Sequence, residues 1–274
     1  MSNKNDVAES KPEGAVDLNS RSRQIGPATL AERIRETLWN DTIQTVVYAV
    51  LIALVVRVVA FEPFNIPSGS MYPTLMVGDY LFVSKYSYGY SRHSFPWSFP
   101  PFHGRILESA PERGDIAVFK EPLGNETDYI KRVIGLPGDR IQMIDGVLHI
   151  NDEAVKRERI EDYETRDATQ VIEAAPQYVE TLPNGVKHRI LETAGDTGHN
   201  DNTAVFVVPE GYYFMMGDNR DNSSDSRVIG PVPAENLVGR AEILFFSTDG
   251  GARIWEIWKW PFAIRYGRLF NLLG

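Results

Sequence analysis

The chain has 274 residues, no cysteine, 43% apolar residues, 24% charged residues and a net charge of -9. That length holds one or two domains, and that apolar content builds a core, which excludes uniform disorder and a collagen or coiled-coil composition. The missing thiols exclude a disulfide scaffold, a thiolate metal site and a cysteine nucleophile, while the acidic balance speaks against a nucleic-acid binder.

In chain order, residues 1–41 are polar and read as a largely disordered tail, with Leu30 to Trp39 as a short amphipathic lead-in. Thr42 to Phe61 then form an apolar run whose single charge is Arg57. About twenty helical residues span a hydrocarbon core, so 42–61 is predicted to be a transmembrane helix. Arg21, Arg23, Arg33 and Arg35 precede it, which places the N-terminus in the cytoplasm and the remainder on the outer side.

Beyond residue 61 helical periodicity is scarce and the region is predicted to be mainly β. Strands are expected after Gly78, at Asp115–Lys120, at Tyr129–Ile134 and on both sides of Asp145-Gly146, a type I′ hairpin signal. Further strands are expected at Lys187–Glu192, Thr203–Val208, Tyr212–Met216 and Leu237–Ser247. Residues 88–113 read as an extended Ser/Pro/Phe-rich loop, and residues 152–202 as a charged peripheral insertion. The C-terminal segment, Ala252 to Gly274, interleaves Trp255, Trp258, Trp260, Phe262, Tyr266 and Phe270 with five charges, a composition suited to a headgroup layer. Pro261 prevents one continuous helix through its middle.

Several common sites are missing: the sequence has no HExxH, P-loop, GxGxxG or GxSxG motif, and no histidine sits in a motif. All five histidines are expected in loops or in the peripheral region. The run Asp218 to Asp225 resembles a calcium loop but fails at its glycine position, Ser223, and at its bidentate acid, Ile229. Three segments remain that are rich in polar and turn residues within a β context. In Phe64-Asn-Ile-Pro-Ser-Gly-Ser-Met-Tyr-Pro-Thr-Leu, Pro67 and Gly69 constrain the backbone around Ser68 and Ser70. A hydroxyl on such a turn, beside free main-chain N–H groups, provides a nucleophile and an oxyanion hole. In Tyr129-Ile-Lys-Arg-Val-Ile, strand alternation puts Lys131 on the face shared with Tyr129 and Val133. A lysine in apolar surroundings loses its proton more readily and can serve a serine as base. The third segment is Gly217-Asp-Asn-Arg-Asp-Asn-Ser-Ser-Asp-Ser-Arg.

Together with Gly114-Asp-Ile-Ala-Val-Phe-Lys, these segments resemble, in order and behind an apolar anchor, the conserved boxes of the bacterial type I signal peptidases (leader peptidases). By that resemblance Ser70 matches the nucleophile, Lys131 the general base and Ser68 the hydroxyl donor of the oxyanion hole. Ser223 matches a serine that orients the lysine amine, Asp225 and Arg227 match a supporting ion pair, and Arg132 matches a structural basic position. Phe64, Ile66, Pro67, Met71, Leu75, Val118, Tyr129 and Ile130 would line shallow pockets for small side chains, typically Ala-x-Ala.

The implied fold is a mainly β catalytic core (62–139 and 210–274) with a smaller β domain inserted at 140–209, following one transmembrane helix. The implied reaction is signal-peptide removal through an acyl-enzyme, with no metal or cofactor. The implied partners are preprotein signal peptides, the lipid bilayer and the protein translocation channel, at the bacterial inner membrane, and no nucleic acid. The family often has two spans before the serine box, and this chain has one. Alternatives are a related Ser–Lys maturation peptidase of a conjugation system and a non-catalytic, membrane-tethered peptide-binding β domain.

Overall fold

Helix α1 runs from Leu30 to Val59 without a glycine or proline to interrupt it. In the computed structural model, which describes residues 30–99, 101–124, 126–166, 171–249, 252–253 and 255–273, the lead-in and the apolar run are thus one element. Residues 1–29, the larger part of the expected tail, lie outside the described residues. Trp39–Val59 has the length and apolarity of a membrane span, and none of it is buried. The helix stops two residues short of the expected end: Phe61 opens a strand instead, because Pro63 two residues on cannot continue a helix.

Among the described residues seventeen strands follow. They are β1 (Phe61–Asn65), β2 (Asp79–Ser84), β3 (Ile116–Lys120), β4 (Asp128–Gly135), β5 (Arg140–Ile144), β6 (Val147–Ile150), β7 (Glu153–Ala154), β8 (Lys156–Arg159) and β9 (Tyr163–Arg166). Next come β10 (Val171–Ala175), β11 (Gln177–Thr181), β12 (Lys187–Leu191), β13 (Phe206–Val207), β14 (Tyr212–Met216), β15 (Val232–Pro233), β16 (Leu237–Ser247) and β17 (Asn271–Leu272). Two one-turn helices, α2 (Ser226–Ile229) and α3 (Trp260–Ala263), interrupt the later strands.

Residues 52–274 form one compact unit and residues 1–51 another. Within the former, the main sheet runs β1-β2-β16-β3-β4-β14-β15, with β17 on β16. Every pairing in it is antiparallel. Smaller sheets, β13-β5-β6-β7 and β12-β11-β8, are built from the segment that leaves β4 and returns at β14. The β5–β6 turn has the positive φ angles that a type I′ hairpin demands, 47° at Asp145 and 71° at Gly146.

This topology sets three segments side by side. The serine turn is the excursion between β1 and β2, and Ile66 N–H donates back to Asp79 C=O at its neck. The lysine lies in β4, between β3 and β14. Met216 at the end of β14 pairs with Arg132, so Gly217 and Asp218 emerge beside β4. An apolar cluster of Ile66, Met71, Leu75, Leu81, Val83, Ile116, Val118 and Leu244 fills the space under the turn.

Several expectations change. The charged stretch 152–202 carries strands β7 to β12, of which only β12 was individually expected, at Lys187–Glu192, with His188 buried in it. His149 lies in β6, the second strand of the expected hairpin. Thr203–Val208 narrows to the two residues of β13. The 88–113 loop folds into two 3-10 turns, Arg92–Ser94 and Pro96–Ser98, with His93 buried. At the C-terminus, Pro261 sits in the first turn of α3, where its missing N–H costs nothing. That tail both packs and protrudes: Trp260 meets the Phe246 ring at 4.9 Å, while Trp255, Trp258, Phe262 and Phe270 stand exposed.

Candidate active site

Ser70 lies in the 3-10 turn Gly69–Met71, entered through an extended Ser68 (φ -132°, ψ 155°). N–H groups in the first turn of a helix have no acceptor within it. Lys131 Nζ donates to Ser70 Oγ at 2.8 Å and to Ile130 C=O at 3.0 Å. Both residues are buried, with 8% and 5% exposure, so the contact is shielded from solvent. Ser68 Oγ stands 3.5 Å from Ser70 Oγ and its residue is exposed.

Burial pushes the Lys131 amine down from 10.5 to about 8, against the opposing charges of Asp225 and Asp218. The ring of Tyr129 lies 5.4 Å from Nζ. At pH of about 7.5 an amine of that pKa is about one quarter neutral, against about one in a thousand for an ordinary lysine. Strand alternation had put Arg132 on the opposite face; it too is buried, because both faces of β4 are covered.

Asp225 and Arg227 form a two-point ion pair at 2.9 and 2.8 Å. Asp225 also caps α2 and accepts the Gly217 N–H at 2.9 Å, tying the loop to the end of β14. Burial alone would raise its carboxyl; the charge and hydrogen bonds of Arg227, with the Gly217 N–H, hold it below the usual range. Among the described residues Ser223 Oγ has no hydrogen-bond partner, though it lies near enough to help hold Asp225 charged. It is not among the hydrogen-bond partners of the Lys131 amine, which go to Ser70 and Ile130.

The eight pocket candidates divide. Ile66, Met71, Leu75 and Val118 belong to one cluster, against which Phe64 and Ile130 pack. Four of them expose 3% or less and present core rather than open surface. Tyr129 packs instead with Phe119 and Val133, and Pro67 is exposed.

Three further residues hold the site together. Arg132 makes a bidentate contact to Asp218, 2.9 and 2.7 Å, and donates to Gly114 C=O at 2.7 Å. Thr74, four residues after Ser70, donates its hydroxyl to Asp218 at 2.5 Å. Asn219 donates its main-chain N–H to Ser70 C=O at 3.1 Å and its side-chain amide to Gly69 C=O at 3.2 Å. Sequence reading gave Asp218, Asn219 and Thr74 no role. The available signal was the Gly-Asp-Asn-Arg run directly after the apolar β14, where charge has no surface to occupy.

A serine hydroxyl hydrogen-bonded to a buried lysine amine whose pKa burial has lowered is the arrangement of a Ser–Lys serine hydrolase. The family described as "Signal peptidase, peptidase S26" matches residues 39–246. A signal peptidase I of Rickettsia typhi (strain ATCC VR-144 / Wilmington) is 44% identical over 243 residues, 82% of this chain and 90% of the relative. That of Rickettsia massiliae (strain Mtu5) is 43% identical over 244 residues, 83% and 90%. The crystal structure of a signal peptidase I from Enterococcus faecalis V583 shares 28% identity, over 48% of this chain and 97% of that one, with a TM-score of 0.29. The chain belongs to the signal peptidase family, peptidase S26. It is a serine endopeptidase, membrane-anchored, with α1 as its apolar helix.

One variant probes the packing between the loop and the serine turn. A Cβ on Gly217 would stand 2.3 Å from Ser223 Oγ and 2.5 Å from Ser70 C=O. Gly217→Ala is therefore expected to melt at a lower temperature and to lose most peptidase activity. Wild-type values for both would show that the contact gives way freely.

Proposed function

We propose that this chain removes N-terminal signal peptides from translocated preproteins, with Ser70 as nucleophile and Lys131 as general base. The observation that carries this reading is the 2.8 Å contact between a buried hydroxyl and a buried amine whose pKa burial has lowered to about 8.

Neutral Lys131 takes the Ser70 proton as Oγ attacks the scissile carbonyl, and the resulting ammonium gives that proton to the departing amine. An ester to Ser70 remains. Lys131 then deprotonates a water that hydrolyses it and frees Ser70. The oxyanion is held by the Ser70 N–H and the Ser68 hydroxyl. Asp225, Arg227 and Ser223 shape the wall behind the amine. The pocket residues Phe64, Ile66, Pro67, Met71, Leu75, Val118, Tyr129 and Ile130 admit small side chains, the Ala-x-Ala class, after local opening of the cluster. Residues 140–209 are an insert in the catalytic body.

Four arginines before the apolar run favour a cytoplasmic N-terminus, with residues 62–274 on the outer side of the bacterial inner membrane. Ser70 lies ten residues beyond Ala60, and ten fully extended residues reach about 35 Å at most. Anchoring thus keeps the nucleophile near the bilayer that receives the apolar stretch of a signal peptide, with the translocation channel as neighbour.

The test is incubation of the purified protein with a preprotein carrying Ala-x-Ala, reading the new N-terminus by mass. Cleavage directly after that motif, abolished in Ser70→Ala, is the expected result; an uncut substrate, or cleavage by Ser70→Ala, would refute the reading. Removing one oxyanion donor costs about 100–1000-fold in rate. Ser68→Ala is expected to fall in that range with little change in KM, and full activity would remove Ser68 from the hole.

A further inference from the structure

Away from the serine, three carboxylates meet. Glu192 directly follows β12, Asp201 lies in the connection from β12 to β13, and Asp221 lies between β14 and α2. One oxygen of each stands within 4.8 Å of the other two. Glu192 and Asp201 are fully buried, at 0% exposure. Main-chain donors meet only part of this charge: Gly198 N–H donates to Asp201 Oδ2 at 2.5 Å and Ala194 N–H to Asp221 Oδ2 at 2.7 Å. Four oxygens are left with no hydrogen bond among the described residues: both of Glu192, Asp201 Oδ1 and Asp221 Oδ1.

Among the described residues no neighbouring cation hydrogen-bonds these four oxygens, although Arg220 Nε and Arg227 Nη1 are also without partners. Arg157 stands 3.8 Å from Glu192, too far to hydrogen-bond, and its guanidinium is engaged by Asp196 at 2.9 Å. Arg220 is gripped by Glu180 at 3.0 and 2.6 Å. Buried carboxylates without donors are costly, and three converging ones more so. A single shared proton bridges one pair of oxygens and leaves the others unmet. A cation can draw on an oxygen of each carboxylate at once.

We infer that Glu192, Asp201 and Asp221 form a calcium site that clasps the end of β12 to the loop carrying Asp218 and Asn219. Hard carboxylate oxygens select a hard cation, and Ca²⁺ accepts six to eight oxygens in flexible geometry, often with one bidentate glutamate. Glu192, with both oxygens free and its side chain buried, supplies that bidentate ligand. Mg²⁺ sheds its waters reluctantly and suits a buried triad less well. Gly198 forms the wall: a Cβ there would lie 1.9 Å from Asp221 Oδ1 and 3.1 Å from Asp201 Oδ2.

The placement gives the site a consequence. Leu191 N–H donates to Asp218 C=O, and Arg220 N–H donates to Leu191 C=O, both at 2.9 Å. Glu192 and Asp221 are the next residues on each of these two strands of chain. An ion between them cross-links the backbone on either side of Asn219, whose amides hold the Gly69 and Ser70 carbonyls. The site differs from the calcium-loop pattern considered in the sequence, sharing only Asp221 with it.

The full-length protein in detergent, stripped with EDTA and desalted, is titrated with CaCl2 by calorimetry and melted with and without the ion. Saturable binding of one Ca²⁺ per chain and a higher melting temperature in CaCl2 are expected, with affinity at least tenfold weaker in Glu192→Gln/Asp201→Asn. No saturable heat up to about 10 mM CaCl2 together with equal melting in EDTA and CaCl2 overturns the proposal and leaves protons to satisfy the carboxylates. Wild-type affinity in the double variant overturns it too. If the double variant fails to fold, Asp221→Asn, at the half-buried edge, replaces it: weakened binding supports the site, and unchanged binding refutes it.

Discussion

Lys131→Met is expected to abolish peptidase activity and, below pH 8, to make the protein more stable. Lys131 falls from 10.5 to about 8 on folding, burial being the cause and Asp225 and Asp218 opposing it. Between those two values the unfolded chain binds more protons than the native one, so stability rises with pH across the window. Below about 8 the native protein carries the whole cost of a buried ammonium, about 3 kcal/mol for such a shift. Above about 10.5 the amine is neutral in both states and the cost vanishes. Methionine fills the stem's volume without the charge, and among the described residues it forfeits the bonds of the amine to Ser70 and Ile130. Urea unfolding at pH 6.5 and 10.5 checks this: the variant gains at the lower pH and not at the upper. A variant less stable at both would contradict the assigned desolvation. In the wild-type enzyme the neutral fraction rises tenfold per pH unit on the acidic side, so kcat/KM should climb with pH to a midpoint near 8.

The second large effect is expected at Asp218. Asp218→Ala leaves the Arg132 guanidinium, 5% exposed, without its bidentate carboxylate. Removing one partner of a buried ion pair costs about 3–5 kcal/mol, against total stabilities of about 5–15 kcal/mol. Thr74 loses its acceptor as well, and with it the strut beneath the serine turn. The variant should unfold at markedly lower urea concentration and show little activity. The paired replacement Arg132→Met/Asp218→Leu removes both charges and should recover much of the stability without restoring activity, because the Gly114 and Thr74 bonds do not return. A single variant that unfolds like wild type would mean that water or a neighbour takes the place of the carboxylate.

Much of this molecule was legible in the sequence, for identifiable reasons. The apolar run announced α1 by length and charge alone, and Leu237–Ser247 and Tyr212–Met216 announced β16 and β14 by unbroken β-prone composition. Asp145-Gly146 announced its turn because that turn requires positive φ at both positions. Apart from β12, expected at Lys187–Glu192, the strands of the charged stretch were hidden, since β8 (Lys-Arg-Glu-Arg) shows almost no buried face to write an alternation. Phe61 was assigned to the helix because an apolar pattern does not mark where pairing with Ser84 takes over.

At the candidate site, Ser70 and Lys131 were singled out by motif, whereas Asp218, Asn219 and Thr74 were not. Their work is done across distant chain positions, and only folding brings Thr74 to Asp218 or Asn219 to Gly69. The four most buried pocket candidates illustrate the reverse: their apolar character fits a pocket or a core equally, and the fold packs them as core.

In the proposed mechanism Ser70 Oγ attacks and Lys131 takes its proton. The most direct test of that mechanism is to trap the protein with a serine-acylating β-lactam at pH 8 and locate the adduct by peptide mass mapping. The mechanism predicts one adduct, on Ser70, lost in Ser70→Ala and in Lys131→Met. An adduct on another serine, or undiminished acylation of Lys131→Met, would contradict it.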